Sequence, residues 1–162
     1  MFDDAAPIWP FLTALNGTED PERARTANEG LFYFEVFPAL ALASIGDAFF
    51  GRLAGPRYNP TRKKTFRLEH WHGVLRAVAA DALRMGCGPL AGWCDQLGAV
   101  ERPRKADQDR LDAAICLLIA IRWRLEGPAD CMLIGDLRTG YMVSPAAAVV
   151  RQRLGITAGT RT

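Results

Sequence analysis

No two of the four cysteines stand at C-x-x-C spacing; Cys87, Cys94, Cys116 and Cys131 are scattered through the second half of a 162-residue chain. That removes the ligand spacing of structural zinc sites, leaving a reduced chain as the expectation, with Cys87 and Cys94 as buried thiols. No signal-peptide pattern opens the sequence, so a cytoplasmic setting is expected. The longest unbroken apolar run has nine residues, Ala113 to Ile121, against the roughly 20 that a membrane helix needs. A membrane protein is therefore excluded as an expectation. There are only two histidines. His70 and His72 fall two apart on an expected helix, about 200° from each other, and cannot share one metal there. The glycine-containing stretches "GCGPLAG" and "GDLRTG" have neither a P-loop lysine nor a dinucleotide fingerprint, so nothing points to a nucleotide cofactor. Internal repeats and low-complexity tracts are absent as well.

What is there is ordinary globular material for one domain over residues 1–162, with 49% apolar and 23% charged residues. The net charge of +2 is small, but its distribution is uneven. Residues 1–35 hold seven acids (Asp3, Asp4, Glu19, Asp20, Glu22, Glu29, Glu35) against Arg23 and Arg25. Residues 52–67 hold six bases (Arg52, Arg57, Arg62, Lys63, Lys64, Arg67) and no acid. A polyanionic partner is one reading of such a block, a solvated loop the other.

Residues 1–30 read as irregular, because two prolines interrupt "APIWPFL" and the next stretch is polar. "LFYFEVF" (31–37) is aromatic and β-branched, bounded by Gly30 and Pro38, and reads as a strand covered on both faces. Pro38 then opens a short helix, and residues 47–65 form a loop. A helix is expected from Leu68 to Met85, with Trp71, Val74, Leu75, Val78, Ala82 and Met85 on one stripe and Gly86 as its stop. "GPLAGWCDQLG" reads as a shorter helix, and residues 107–125 as a long one. "CMLIGDLRTGYMVSP" (131–145) is a β-hairpin turning at "RTG". Ser144 and Pro145 are placed as N-cap and first residue of a last helix ending near Gly155.

Three aspartates crowd the front of the long helix. Asp107 suits the N-cap, and Asp109 in the first turn is favoured by the helix dipole. Asp112 is different. It precedes an apolar stretch, and burying an uncompensated carboxylate costs several kcal/mol. Asp109 and Asp112 lie three residues apart, on one helix face. A divalent metal would relieve their repulsion; a hydrogen-bonding partner or open water would serve Asp112 alone.

Asp109-x-x-Asp112-Ala113 opening an apolar helix resembles the last metal-binding element of RNase H-like nucleases of the RuvC type. "APIWPFL" (6–12), "FEVFPALAL" (34–42), "RYNPTRKKTF" (57–66), "KADQDRLDAAICLLIA" (105–120) and "IGDLRTGYMVSP" (134–145) are similar, in order, to the predicted RNase H-like nucleases known as domain of unknown function 429. The resemblance implies an α/β chain with a partial RuvC-type fold: a central strand flanked by helices, with a C-terminal β-hairpin. It implies a metal-dependent nuclease that hydrolyses phosphodiesters with Mg²⁺ or Mn²⁺. Asp109 and Asp112 would then be catalytic metal ligands. Glu35, an acid out of keeping with its strand, is either a third ligand or an exposed or arginine-paired carboxylate.

Tyr58, Arg62, Lys63 and Lys64 of the basic loop, with Lys105 ahead of the long helix, are the candidate substrate-binding residues. The bases would contact phosphates, and Tyr58 and Phe66 would stack on unpaired bases. Members of the family begin upstream with strands carrying a first aspartate. The expectation is accordingly a C-terminal portion, with the N-terminal strands absent. Such a chain would be incomplete until joined by an N-terminal segment, a partner chain or another copy of itself. Two other readings stand beside it: a non-catalytic nucleic-acid-binding or scaffolding module, and a truncated product whose unpaired strand edge promotes self-association.

Overall fold

The computed structural model describes residues 8–50 and 55–155. Asp3, Asp4 and Arg52, and the start of "APIWPFL", lie outside the described residues. The fold is mixed α/β, mainly helical, with two small sheets. Its N-terminal arm is not irregular. It holds α1 (Ile8–Leu15), a short strand β1 (Thr18–Glu19) and α2 (Pro21–Thr26). The prolines are compatible with helix because Pro10 falls in the first turn of α1 and Pro21 at the first position of α2, where an N–H is not needed. Asp20 caps α2, its side chain accepting from the Arg23 N–H at 2.9 Å.

The expected central strand is also shorter than "LFYFEVF". Only Phe32–Tyr33 forms a strand, β2, parallel to β1. Three residues on, Val36 makes a single parallel bridge to Val143. The segment divides its pairing between two partners, so no continuous ladder forms, and Leu31 and Phe37 at its ends are half exposed. Pro38 starts α3 (Pro38–Ile45), as its fixed φ favours.

Two long helices carry the core. α4 (Leu68–Arg84) buries Trp71, Val74, Leu75, Val78 and Ala82 of the stripe read from the sequence; Met85 follows the helix and is partly buried against the core, and Gly86 comes next at φ 75°. α5 (Gly88–Gly98) folds back on α4, burying Leu90, Ala91, Cys94 and Leu97. α6 (Lys105–Leu125) buries Leu111, Ala114, Ile115, Leu118, Ile119 and Trp123. Leu117 in the middle of the apolar run faces outward, so that run is not buried all round. Among the described residues no helix is long and apolar enough to cross a membrane.

β3 (Cys131–Asp136) and β4 (Gly140–Pro145) pair antiparallel from Cys131↔Pro145 to Asp136↔Gly140. The Asp136 carboxylate organises the turn, accepting from the N–H groups of Arg138 and Thr139 and from the Thr139 hydroxyl. Gly135 is required here, since its φ is 85° and a Cβ would lie 2.3 Å from the Gly140 carbonyl oxygen. Ser144 and Pro145 finish β4 instead of opening a helix. The last helix, α7 (Ala148–Leu154), begins three residues later without a side-chain cap and ends at Gly155, φ 65°.

Candidate metal centre

α6 starts two residues earlier than the aspartates suggest. Asp107 is therefore not the N-cap; it sits inside the first turn, where its carboxylate accepts from the Arg104 N–H at 2.8 Å. Asp109 is exposed and pairs with the Lys105 ammonium one turn earlier. Such an exposed pair contributes at most about 1 kcal/mol and exchanges readily. Lys105 is thus engaged by a predicted metal ligand.

Asp112 lies on the same face of α6 and is half-buried. Its Oδ1 accepts from the Tyr58 hydroxyl at 2.8 Å, and its Oδ2 from the Gln108 side-chain amide at 2.6 Å. Both donors are neutral. Burial raises the Asp112 pKa above the ordinary carboxylate value, as does the Asp109 charge more weakly, while the two hydrogen bonds and Lys105 lower it. Gln108 is buried, yet its Oε1 has no hydrogen-bond partner. A half-buried carboxylate and an orphaned amide oxygen therefore stand on adjacent side chains. Oxygen donors of this kind are what Mg²⁺ and Mn²⁺ take.

Tyr58 is only 6% exposed. A stacking platform needs an open ring face, so the structure gives Tyr58 another part: it ties the basic loop to Asp112 across 54 residues of sequence. Phe66 likewise packs against the core. The loop is pinned further where the Arg57 N–H donates to His70 Nδ1 at 2.8 Å and the Arg67 N–H to the Arg57 carbonyl at 2.9 Å. What remains outward is basic. Arg57, Arg62, Lys63 and Lys64 are exposed and make no ion pair among the described residues. Arg57 and Arg62 share the wall of a hollow of about 220 Å³ with Asn59 and Thr65.

Glu35 is not brought into this group. It is exposed, and together with Glu19 its charge acts on the buried Tyr141 hydroxyl, whose pKa is raised by burial first and then by these two carboxylates. Among the described residues no three His, Cys, Asp or Glu side chains gather as a metal-holding set. Asp109 and Asp112 are a pair, and the further oxygen beside them is that of Gln108.

No family model, curated protein or solved structure matches this chain. The site is read from its own geometry.

Two features of that geometry were not singled out in the sequence. Gln108 could have been found, because it stands four residues before Asp112 on one helix face. The second is a buried ion-pair cluster in which Arg122 of α6 reaches Asp81 of α4 at 3.1 Å and also binds Asp130. Arg84 joins Asp81 to Glu126. Asp81 with Arg84 and Arg122 with Glu126 stand at helical spacing, but the bonds that join the two pairs span 41 and 42 residues of sequence.

The raised Asp112 pKa has a consequence for stability. Between the ordinary carboxylate pKa, about 4, and the raised folded value, the folded chain binds more protons than the unfolded one, so stability falls as pH rises through that window. Asp112→Asn removes the charge, keeps an acceptor for Tyr58, and supplies a donor for Gln108 Oε1 once that amide turns over. Without added metal the variant is expected to be more stable at pH 7 by about 0.5–1.5 kcal/mol, and to lose that acidic-range decline. Urea melts of both proteins at pH 4.5 and 7 check this. A variant less stable than wild type at pH 7 would show that the carboxylate is needed structurally.

Proposed function

We propose that this chain is a metal-dependent, nuclease-like protein of the RNase H-like kind, acting on the phosphodiesters of a nucleic acid and incomplete on its own. Asp109 and Asp112 are its metal ligands, and Gln108 Oε1 is a further oxygen for the same ion. The observation that carries this reading is the state of Asp112: a half-buried carboxylate held by neutral donors, next to a buried amide oxygen with no donor. The more deeply buried Asp81 is, by contrast, neutralised by an arginine, Arg122. Mg²⁺ or Mn²⁺ at such a site would supply the Lewis acidity that activates water against a phosphodiester.

The chain's own residues do the rest. Tyr58 and Gln108 orient the Asp112 carboxylate. Lys105 pairs with Asp109 and would give way to a bound cation. Arg57, Arg62, Lys63 and Lys64 line an approach for phosphates on the loop that Tyr58 fastens to the site. A set of two carboxylates is small for two metals, which is why a completing segment or partner belongs to the proposal, and Glu35 is not included among the ligands.

The test is calorimetry with Mn²⁺. Wild type is expected to bind one ion weakly, more tightly as pH rises and Asp112 loses its proton, and Asp109→Asn with Asp112→Asn is expected to abolish the heat. Gln108→Leu is expected to weaken it about tenfold. Unchanged binding in the double variant would remove the site. The unpaired bases also support a second reading, a non-catalytic nucleic-acid-binding module. Binding of a single-stranded oligonucleotide that weakens steeply with salt, is lost in Arg62→Ala with Lys63→Ala and Lys64→Ala, and needs no Mn²⁺ would favour it.

A further inference from the structure

A cavity of about 310 Å³ lies on another part of the molecule, between α3, the turn at Asp47–Phe49, the β3–β4 hairpin and α7. Its size is at the lower end of small-molecule sites. Leu40, Ala43, Phe49, Phe50 and Met132 make walls that are mainly apolar. Three polar side chains reach it: Ser44, Ser144 and Arg153. The serines are already engaged, Ser44 Oγ accepting from the Ala147 N–H at 3.2 Å and the Ser144 hydroxyl donating to the Pro145 carbonyl at 3.2 Å.

Arg153 is not engaged in that way. Its guanidinium lies over the Phe50 ring, 5.8 Å from the centroid, and has no acidic partner among the described residues. An exposed cation thereby stands at the wall of an apolar hollow and makes no hydrogen bond among the described residues. α7 itself is fixed, because the buried Arg151, two residues earlier on its other side, donates to the carbonyls of Ala146, Pro128 and Cys131.

We propose that this cavity binds a small carboxylic acid with an apolar body, the hydrocarbon filling the chamber and the carboxylate pairing with Arg153. An uncharged apolar molecule would leave Arg153 without a partner, and a compact polar anion would leave the walls exposed to water. A medium-chain acyl or aryl carboxylate satisfies both ends. This site is independent of the metal centre, and neither proposal needs the other.

Octanoate is a suitable probe, with 1-octanol as its uncharged counterpart. Titration into full-length protein carrying ¹³C-methyl methionine is expected to shift the Met132 methyl resonance, and calorimetry to give saturable binding. Arg153→Ala, a change at an exposed side chain, is expected to weaken octanoate at least about tenfold while leaving 1-octanol unchanged. Ala43→Leu, which fills the chamber, is expected to weaken both, with circular dichroism confirming that the variant is folded. Absence of saturable octanoate binding would overturn the proposal. So would equal octanoate affinity in wild type and Arg153→Ala, or a Met132 resonance that does not move.

Discussion

Arg122→Met lowers the unfolding free energy at pH 7 by about 3–5 kcal/mol. The guanidinium is almost fully buried and lies between two carboxylates, Asp81 at 3.1 Å and Asp130, with the Ser44 carbonyl as a further acceptor at 3.4 Å. Removing it leaves Asp81, itself buried, with Arg84 alone, and that second arginine is nearly half exposed and shared with Glu126. Methionine fills much of the same volume, so the loss reports charge and not a cavity.

The pH dependence separates this cause from simple mispacking. Burial already raises the Asp130 pKa, the adjoining Glu126 carboxyl adds to that, and Arg122 opposes both. Without Arg122 the folded Asp130 value rises further, so the folded variant takes up a proton that the unfolded chain does not. The stability gap to wild type is then widest at neutral pH and narrows as the solution is made acid. Urea melts at pH 7 and pH 4.5 measure both quantities. A gap that is below 1 kcal/mol at pH 7, or that is the same at both values, would mean the cluster is not holding α4 and α6 together through charge.

That cluster shows where reading the sequence stops. Trp71, Val74, Leu75, Val78 and Ala82 announced α4 because periodicity is a local property that burial then uses. The hairpin was legible for the same reason, its glycines and Asp136 being required by a turn a few residues long. Arg122 and Asp81 are 41 residues apart, and neither has an unusual neighbour; only the packing of α6 on α4 makes them partners. Tyr58 was legible as an aromatic in a basic loop, which suggested an open stacking face. The hydroxyl contact to Asp112, which turns the ring inward, is tertiary. Asp112 itself was found because a carboxylate at the edge of an apolar helix is locally anomalous. The arm at 8–30 was misread as irregular because proline was weighed as a helix breaker without regard to its position in the first turn.

That arm sets up the second large effect, in Trp123→Ala. α1 has no buried residue, and in α2 only Pro21 is buried, so the arm has little hydrophobic attachment of its own. Trp123 supplies it. The indole is 2% exposed, donates to the Pro21 carbonyl at 2.5 Å, and has the Arg25 guanidinium 5.7 Å from its ring centroid. Arg124 donates to the Arg25 carbonyl beside it.

Truncation to alanine is expected to cost about 3–5 kcal/mol, the range for a buried aromatic. Trp123→Phe keeps most of the packing but leaves the Pro21 carbonyl without its donor, and should cost about 1–3 kcal/mol. The loss should not be uniform over the structure. Because α2 is fastened to α6 mainly at this indole and at the Arg124–Arg25 bond beside it, while α4, α5 and the hairpin pack elsewhere, the arm opens first. Trypsin should then cut after Arg23 and Arg25 in Trp123→Ala under conditions that leave wild type intact, while far-UV circular dichroism retains most of its helical signal. If the whole chain unfolds in one step with no early cleavage at those arginines, Trp123 is a keystone of the main core and not the tether of the arm. Should the arm stay protected instead, the β1–β2 pairing must hold it, and the weight given to the indole is misplaced.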